Sequence, residues 1–192
     1  MNIINIGYHA TNYYVIADSA PILLVDAGWP GSLQEMQHAS NRMGIRLANI
    51  RYQMATHYHP DHAGLVEELK RLGIQLIVMD TQLAAVPLLR NHVKPRDNFT
   101  DIELAGSIVL AVDDSRDFLA GIGILGEIIS TPGHSDDSVT LVLDEGAAFT
   151  GDLTPPMAVP DDPEDLAYKS WAKIRALGVK TIYPGHGPAR PL

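Results

Sequence analysis

Four side chains able to ligate a metal, His57, His59, Asp61 and His62, fall within six residues in the run Thr56-His57-Tyr58-His59-Pro60-Asp61-His62. Neutral imidazoles and a carboxylate are the donors that borderline divalent ions such as zinc prefer, and they also suit iron and manganese. Alternate residues of an extended segment point the same way, so His57 and His59 share a face. Pro60 then ends regular pairing, and the apolar-periodic run Ala63, Leu65, Val66, Leu69, Leu72 places Asp61 and His62 at a helix N-terminus. Two pairs of ligands can thus converge from opposite sides of one bend.

Three further ligand-type side chains stand at strand ends in glycine-marked loops: Gly133-His134-Ser135, Thr150-Gly151-Asp152 and Pro184-Gly185-His186-Gly187. A glycine beside a ligand lets the backbone turn and approach a metal without a Cβ clash. A single histidine in such a loop is commonly a capping or solvated residue. Together with the first motif, however, these positions bring the ligands to seven (His57, His59, Asp61, His62, His134, Asp152 and His186), a set that suits two metals rather than one.

The elements that must hold these residues alternate short β-branched runs with helical patterns, the mark of an α/β protein. Strands are predicted over residues 3–6, 13–17 and 22–26 as an opening meander, then over 50–56, 75–79, 108–112, 127–130, 139–143, 147–150 and 181–183. Ser32 is a candidate N-cap, with Glu35 completing a capping box, for a helix reaching about Met43. Further helices are predicted after Asp61, over 81–91, around 117–120 and over 164–177.

The 192 residues fit a single domain spanning 1–192, and their 46% hydrophobic and 19% charged content is that of an ordinary globule. No apolar run is long enough to span a membrane, and the N-terminus lacks a signal-peptide pattern, so the expected location is cytoplasmic. Cysteine is absent, which excludes disulfides, a cysteine nucleophile and cysteine-ligated zinc. Fourteen basic against 23 acidic residues give a net charge of -9, which repels phosphate backbones. A small-molecule substrate is expected, with neither nucleic acid nor membrane as partner. The oligomeric state is left open.

In its ligand pattern, His57-x-His59-x-Asp61-His62 followed by His134, Asp152 and His186, the chain resembles the metallo-β-lactamase superfamily. The resemblance runs over nearly the whole sequence and implies a four-layer αββα sandwich. It implies that His57, His59 and His134 hold one metal, that Asp61, His62 and His186 hold a second, and that Asp152 bridges both. Asp26, in Leu24-Val25-Asp26-Ala27-Gly28, matches a strand-end aspartate that many members place behind the ligands; its simpler reading is a turn residue. This ligand set is the one seen in the glyoxalase II, lactonase and phosphodiesterase-like branches. The wording Thr131-Pro132-Gly133-His134-Ser135 and Tyr183-Pro184-Gly185-His186-Gly187-Pro188 is most similar to glyoxalase II. Six residues follow His186, without that enzyme's C-terminal glutathione-gripping region.

The implied cofactors are two divalent ions, zinc first and iron or manganese as alternatives, and the implied activity is hydrolysis of a small thioester, lactone or other ester. Paired divalent ions lower the pKa of water toward neutrality and polarise a carbonyl. Asp61 and Asp152 are then the candidate catalytic carboxylates. An iron-dependent oxygen or sulfur enzyme of the persulfide dioxygenase kind, and a phosphodiesterase, are the alternative readings. Tyr8 and His9 are candidate pocket residues, with surface turn positions as the other reading. The basic stretch Arg90-Asn91-His92-Val93-Lys94-Pro95-Arg96 either receives a substrate anion or is a solvated helix end. Thr154-Pro155-Pro156-Met157 is expected to wall the site, and His38 to be a surface residue.

Overall fold

The structure, a computed structural model, describes residues 1–192. β1 (Asn2–Asn5), β2 (Tyr14–Ala17), β3 (Pro21–Val25), β4 (Tyr52–Met54), β5 (Gln75–Met79) and β6 (Ile108–Leu110) lie in that order in one sheet. Its first three strands pair antiparallel, and β3 to β6 run parallel. β7 (Gly126–Ser130), β8 (Val139–Leu143), β9 (Ala147–Gly151), β10 (Thr181–Pro184) and β11 (Arg190–Pro191) form the second sheet, antiparallel except where β10 lies beside β9.

The period-two alternation of the strands sorts their side chains into three layers of core. Val15, Leu24, Leu76 and Val78 face outward, onto Met36 of α1 (Leu33–Arg42) and the apolar residues that follow α2 (Pro60–Ala63), namely Leu65 and then Val66 and Leu69 of α3 (Val66–Arg71). Their neighbours Tyr14, Ile16, Leu23, Val25 and Ile77 face inward, onto Ile128, Leu141, Leu143 and Phe149 of the second sheet. Leu119 of α4 (Ser115–Gly121) joins that middle layer. On the far side, Val142, Ala148 and Ile182 pack against Ala167, Trp171 and Ile174 of α5 (Leu166–Ala176). Helices, sheet, sheet and helix make the expected αββα sandwich.

Several local expectations differ from the structure, each for a tertiary reason. The helix after Asp61 is broken at Gly64 and Leu65, because the Leu65 N–H donates to Ala27 O at 2.8 Å instead of to its own helix. Ser32 does stand at the start of α1 but forms no capping box. Its Oγ donates to Trp29 O at 2.6 Å and meets the Tyr8 hydroxyl at 2.5 Å. Residues 81–91 form 3-10 turns, Asp80–Gln82 and Val86–His92, rather than an α-helix. Pro87 lacks the N–H that an α turn there would use, and the Gln82 side chain is drawn inward to backbone partners. β11 has no counterpart among the predicted strands; a two-residue edge strand containing Pro191 carries almost no pattern.

Candidate metal centre

All the ligand-type residues follow the C-terminal ends of strands, at one edge of the sandwich. β4 leads into His57, β7 into His134, β9 into Asp152 and β10 into His186. His59, at extended φ and ψ, precedes α2, and Asp61 and His62 lie in that helix, as Pro60 at its first position dictates. Their side chains gather in two groups, within each of which the candidate ligand atoms lie no more than 4.8 Å apart. His57, His59 and His134 form one; Asp61, His62, Asp152 and His186 form the other. In the first, His59 Nδ1 lies 3.1 Å from both His57 Nε2 and His134 Nε2. In the second, Asp152 Oδ1 is 3.3 Å from His62 Nε2, while Asp152 Oδ2 is 3.3 Å from His186 Nε2. Asp152 Oδ2 also reaches toward the first group, 3.8 Å from His134 Nε2.

The far ring nitrogens are already occupied, which fixes the tautomers. His62 Nδ1–H donates to Asp26 Oδ2 at 2.8 Å, and His186 Nδ1–H to Ala10 O at 2.8 Å. His57 Nδ1–H donates to Thr56 Oγ1 at 3.2 Å, and the Thr56 hydroxyl donates on to Asp26 Oδ2 at 3.1 Å. Each such ring therefore turns Nε2 to the cluster, and metal binding would use its lone pair. Partners of this kind orient ligating histidines and raise their basicity. Asp26 thus supports both groups, one ring directly and one through Thr56. It is 2% exposed, also accepts from Thr56 N at 2.7 Å, and sits at φ +68, a left-handed conformation uncommon outside glycine.

The donor set fits divalent metal ions. His62 Nε2 and Asp152 Oδ1 are buried and face one another at 3.3 Å, with Asp61 Oδ2 also 3.3 Å from that nitrogen, so a cation is required between them, a proton when no metal is bound. Buried polar atoms are rarely left unpaired, and a metal ion between them would satisfy both. Gly185 makes the room: a Cβ there would lie 2.5 Å from Asp152 Oδ1 and 2.6 Å from His62 Cε1. Gly151, at φ +51, would drive a Cβ into Thr56 Oγ1.

Electrostatics agree. Burial and the neighbouring imidazoles push the His57 pKa well below the ordinary histidine value, so this ring is neutral and able to ligate. Burial also opposes charge on His62, but the carboxylates of Asp26, Asp152 and Asp61 outweigh it and hold its pKa well above the usual one while no cation is bound. Burial raises Asp61, yet His62 and His186 bring it down to about 2, and Asp152 is likewise lowered by His62, His186 and His134.

Tyr8 and His9 reach the site differently from the expectation. The Tyr8 hydroxyl turns toward Ser32, burial raises its pKa to about 12, and His9 is exposed at φ +52; neither lines the cavities beside the cluster. Their loop contributes instead the Ala10 carbonyl and the Thr11 hydroxyl, which donates to Asp61 Oδ2 at 3.3 Å. In the basic stretch, Arg90 pairs with Asp101, while Lys94 and Arg96 line a groove with Trp29 that shares His92 with the cavity beside His59. Of the expected wall, Pro155 lines the site, whereas Met157 is exposed. His38 lies on α1 away from the cluster.

Sequence reasoning missed the residues that hold the ligand loops. Gln82 Nε2 donates to Ala55 O at 3.0 Å and Asp137 O at 3.2 Å, and Tyr58 N donates to Asp137 Oδ2 at 2.7 Å. Asn12 Nδ2 clamps the His186 loop through Pro184 O and Gly187 O, at 2.9 and 2.7 Å. Buried or loop-facing amides of this sort carry no local spacing signal.

Two cavities open beside the cluster. One, of about 250 Å³, is lined by His134, Asp152 and His186 together with Pro155, Pro184 and Arg190. The other, of about 330 Å³, is lined by His59 with Ala84, Ala85, Leu88 and His92.

Known proteins are similar to this chain in sequence and in fold. The chain is 29% identical over 181 residues to the beta-lactamase-like protein 2 homolog of Caenorhabditis elegans, covering 93% of this chain and 56% of that protein. It is 31% identical over 182 residues to the atrochrysone carboxyl ACP thioesterase of Aspergillus fumigatus, covering 92% and 50%. The chain spans about half the length of these curated relatives. A crystal structure of a metallo-beta-lactamase family protein from Thermus thermophilus has the same fold, with a TM-score of 0.70 at 19% identity over 98% of this chain and 73% of that one. The family model of the metallo-beta-lactamase superfamily matches residues 6–186, from just after β1 to the last of the clustered histidines, and the chain belongs to that superfamily.

Proposed function

We propose that the chain is a hydrolase that holds two divalent metal ions, zinc first among them, and cleaves a small thioester, lactone or other ester. The observation that carries this reading is the pair of ligand groups meeting at Asp152, with buried His62 Nε2, 3.3 Å from both Asp152 Oδ1 and Asp61 Oδ2, between them. The metals, when bound, supply water of lowered pKa and an electrophile for a carbonyl oxygen.

The chain's own residues do the rest. His57, His59 and His134 would hold one ion and Asp61, His62 and His186 the other, with Asp152 shared. Asp152 stays ionised, because the imidazoles around it hold its pKa below the carboxylate range. Its Oδ2 can accept a proton from the attacking water and return it to the leaving group. Asp61 is held by the Thr11 hydroxyl and stays charged beside it. No serine or cysteine nucleophile is needed, so attack by water gives hydrolysis without a covalent intermediate. The thioesterase name of the Aspergillus fumigatus relative supports the thioester among the candidate substrates. The acidic balance of the chain favours a small-molecule substrate over nucleic acid.

The test is turnover by metal-loaded protein of a thioester, a lactone, an aryl ester and an aryl phosphodiester. Turnover of one of the first three, lost in Asp152→Ala, is expected. Turnover of the phosphodiester alone moves the assignment to phosphoryl chemistry, and iron content without turnover moves it to the oxygen or sulfur branch.

A further inference from the structure

The two cavities beside the cluster differ in the charged side chains that line them. The larger is walled on one side by Ala84, Ala85, Leu88 and Leu89, and on its polar side by His59, His92, Asp136 and Asp137. Leu88 is 53% exposed there, an apolar surface without a packing partner on its open side. The smaller holds Arg190, the one Lys or Arg among the linings of the two, in the same space as Asp152, His134 and His186. Arg90 and Arg116 are held by carboxylates, Arg90 by Asp101 and Arg116 by both Glu127 and Asp144, whereas Arg190 shares its cavity with the ligand cluster. The Arg190 guanidinium has no such carboxylate partner. Its backbone is fixed by pairing with Ile182 on β10, the strand that ends at the His186 loop. The cavities adjoin through the contact of His59 with His134, whose ring nitrogens are 3.1 Å apart.

We infer that the substrate is two-ended: its apolar acyl part lies among Ala84, Ala85 and Leu88, and an anionic group at its other end is received by Arg190, so that the bond to be cleaved crosses the ligand cluster between them. This rests on the hydrolase reading for the bond, but not for the binding. An arginine fork recognises carboxylate and phosphate by paired charge-assisted hydrogen bonds, and either anion fits Arg190. Leu88 and its alanine neighbours gain by leaving water against a short acyl chain. Opposite ends with opposite chemistry also fix the direction in which a substrate enters, which neither cavity does alone.

Calorimetric titration of zinc-loaded protein with three uncleavable thioethers tests this: 3-(hexylthio)propanoate, 2-(hexylthio)ethyl phosphate and the neutral 3-(hexylthio)propanamide. At least one anion is expected to bind about tenfold or more tightly than the amide, the size of one charge-assisted contact, and the tighter of the two names the anion. In Arg190→Gln that preference is expected to fall to within about twofold, with Arg190→Lys keeping part of it. Ala84→Trp, which fills the apolar cavity, is expected to weaken all three probes by a similar factor while leaving the preference. A preference that survives in Arg190→Gln, or affinities unchanged in Ala84→Trp, overturns the inference. The matching hexanoyl thioesters are assayed alongside. Binding preference without turnover retires the hydrolase reading alone, and turnover without preference retires this inference alone.

Discussion

Asp26 Oδ2 accepts the His62 Nδ1 proton at 2.8 Å, and through the Thr56 hydroxyl it also anchors His57, so one buried carboxylate orients a histidine in each ligand group. Asp26→Ala is expected to weaken metal binding by about 10- to 100-fold, the usual effect of removing such a partner. Competition against a chromogenic chelator measures it. Thr56→Val cuts only the relay to His57 and is expected to weaken binding less. Unchanged affinity in Asp26→Ala would show that the carboxylate is structural only.

Metal binding is expected to strengthen with pH. In the metal-free protein His62 has a raised pKa, so its stabilising charge is fully present below about pH 6.5, the ordinary histidine value, and is lost as pH rises through the raised one. An ion must displace that proton, so loading near neutrality releases it. The rise in Tm on adding zinc should accordingly be larger at pH 8 than at pH 6. A rise that is the same or smaller at pH 8 contradicts the protonated state of His62.

Gly185→Ala places a Cβ against Asp152 Oδ1 and His62 Cε1, inside the second group only. The variant is expected to lose about half of its bound metal while melting near the wild-type temperature in the metal-free form. Full metal content would mean that the Pro184-Gly185-His186 backbone shifts freely.

Gln82 is 1% exposed and ties the Ala55 and Asp137 carbonyls together behind the His57 loop. Gln82→Met keeps the volume but leaves those carbonyls unpaired, and is expected to cost about 1–3 kcal/mol in denaturant unfolding. A cost under about 0.5 kcal/mol would show that the loop is held by other contacts.

The candidate ligands were legible because the chemistry is concentrated in sequence: four fall within residues 57–62, and His134, Asp152 and His186 each follow an apolar strand and adjoin a glycine. The four layers were legible through the family resemblance alone, because β2 and β3 are apolar and buried on both faces and so carry no polar–apolar alternation to assign a side. What sequence could not show is long-range. Ser32 has the type and spacing of a cap, but its hydroxyl is taken by Trp29 and Tyr8. Leu65 continues a helical period, but its N–H is claimed by Ala27. Gln82 and Asn12 do their work through backbone carbonyls far along the chain, and nothing in their neighbourhoods marks them.

The most direct test of the two-ion site is elemental analysis of protein purified without chelator, for the wild type and Asp152→Ala, with hydrolysis of the thioester measured on the same samples. The account predicts about two divalent ions per chain in the wild type, fewer in Asp152→Ala, and turnover reduced there by orders of magnitude. Wild-type protein without bound metal, or an Asp152→Ala variant with full metal content and undiminished turnover, would contradict it.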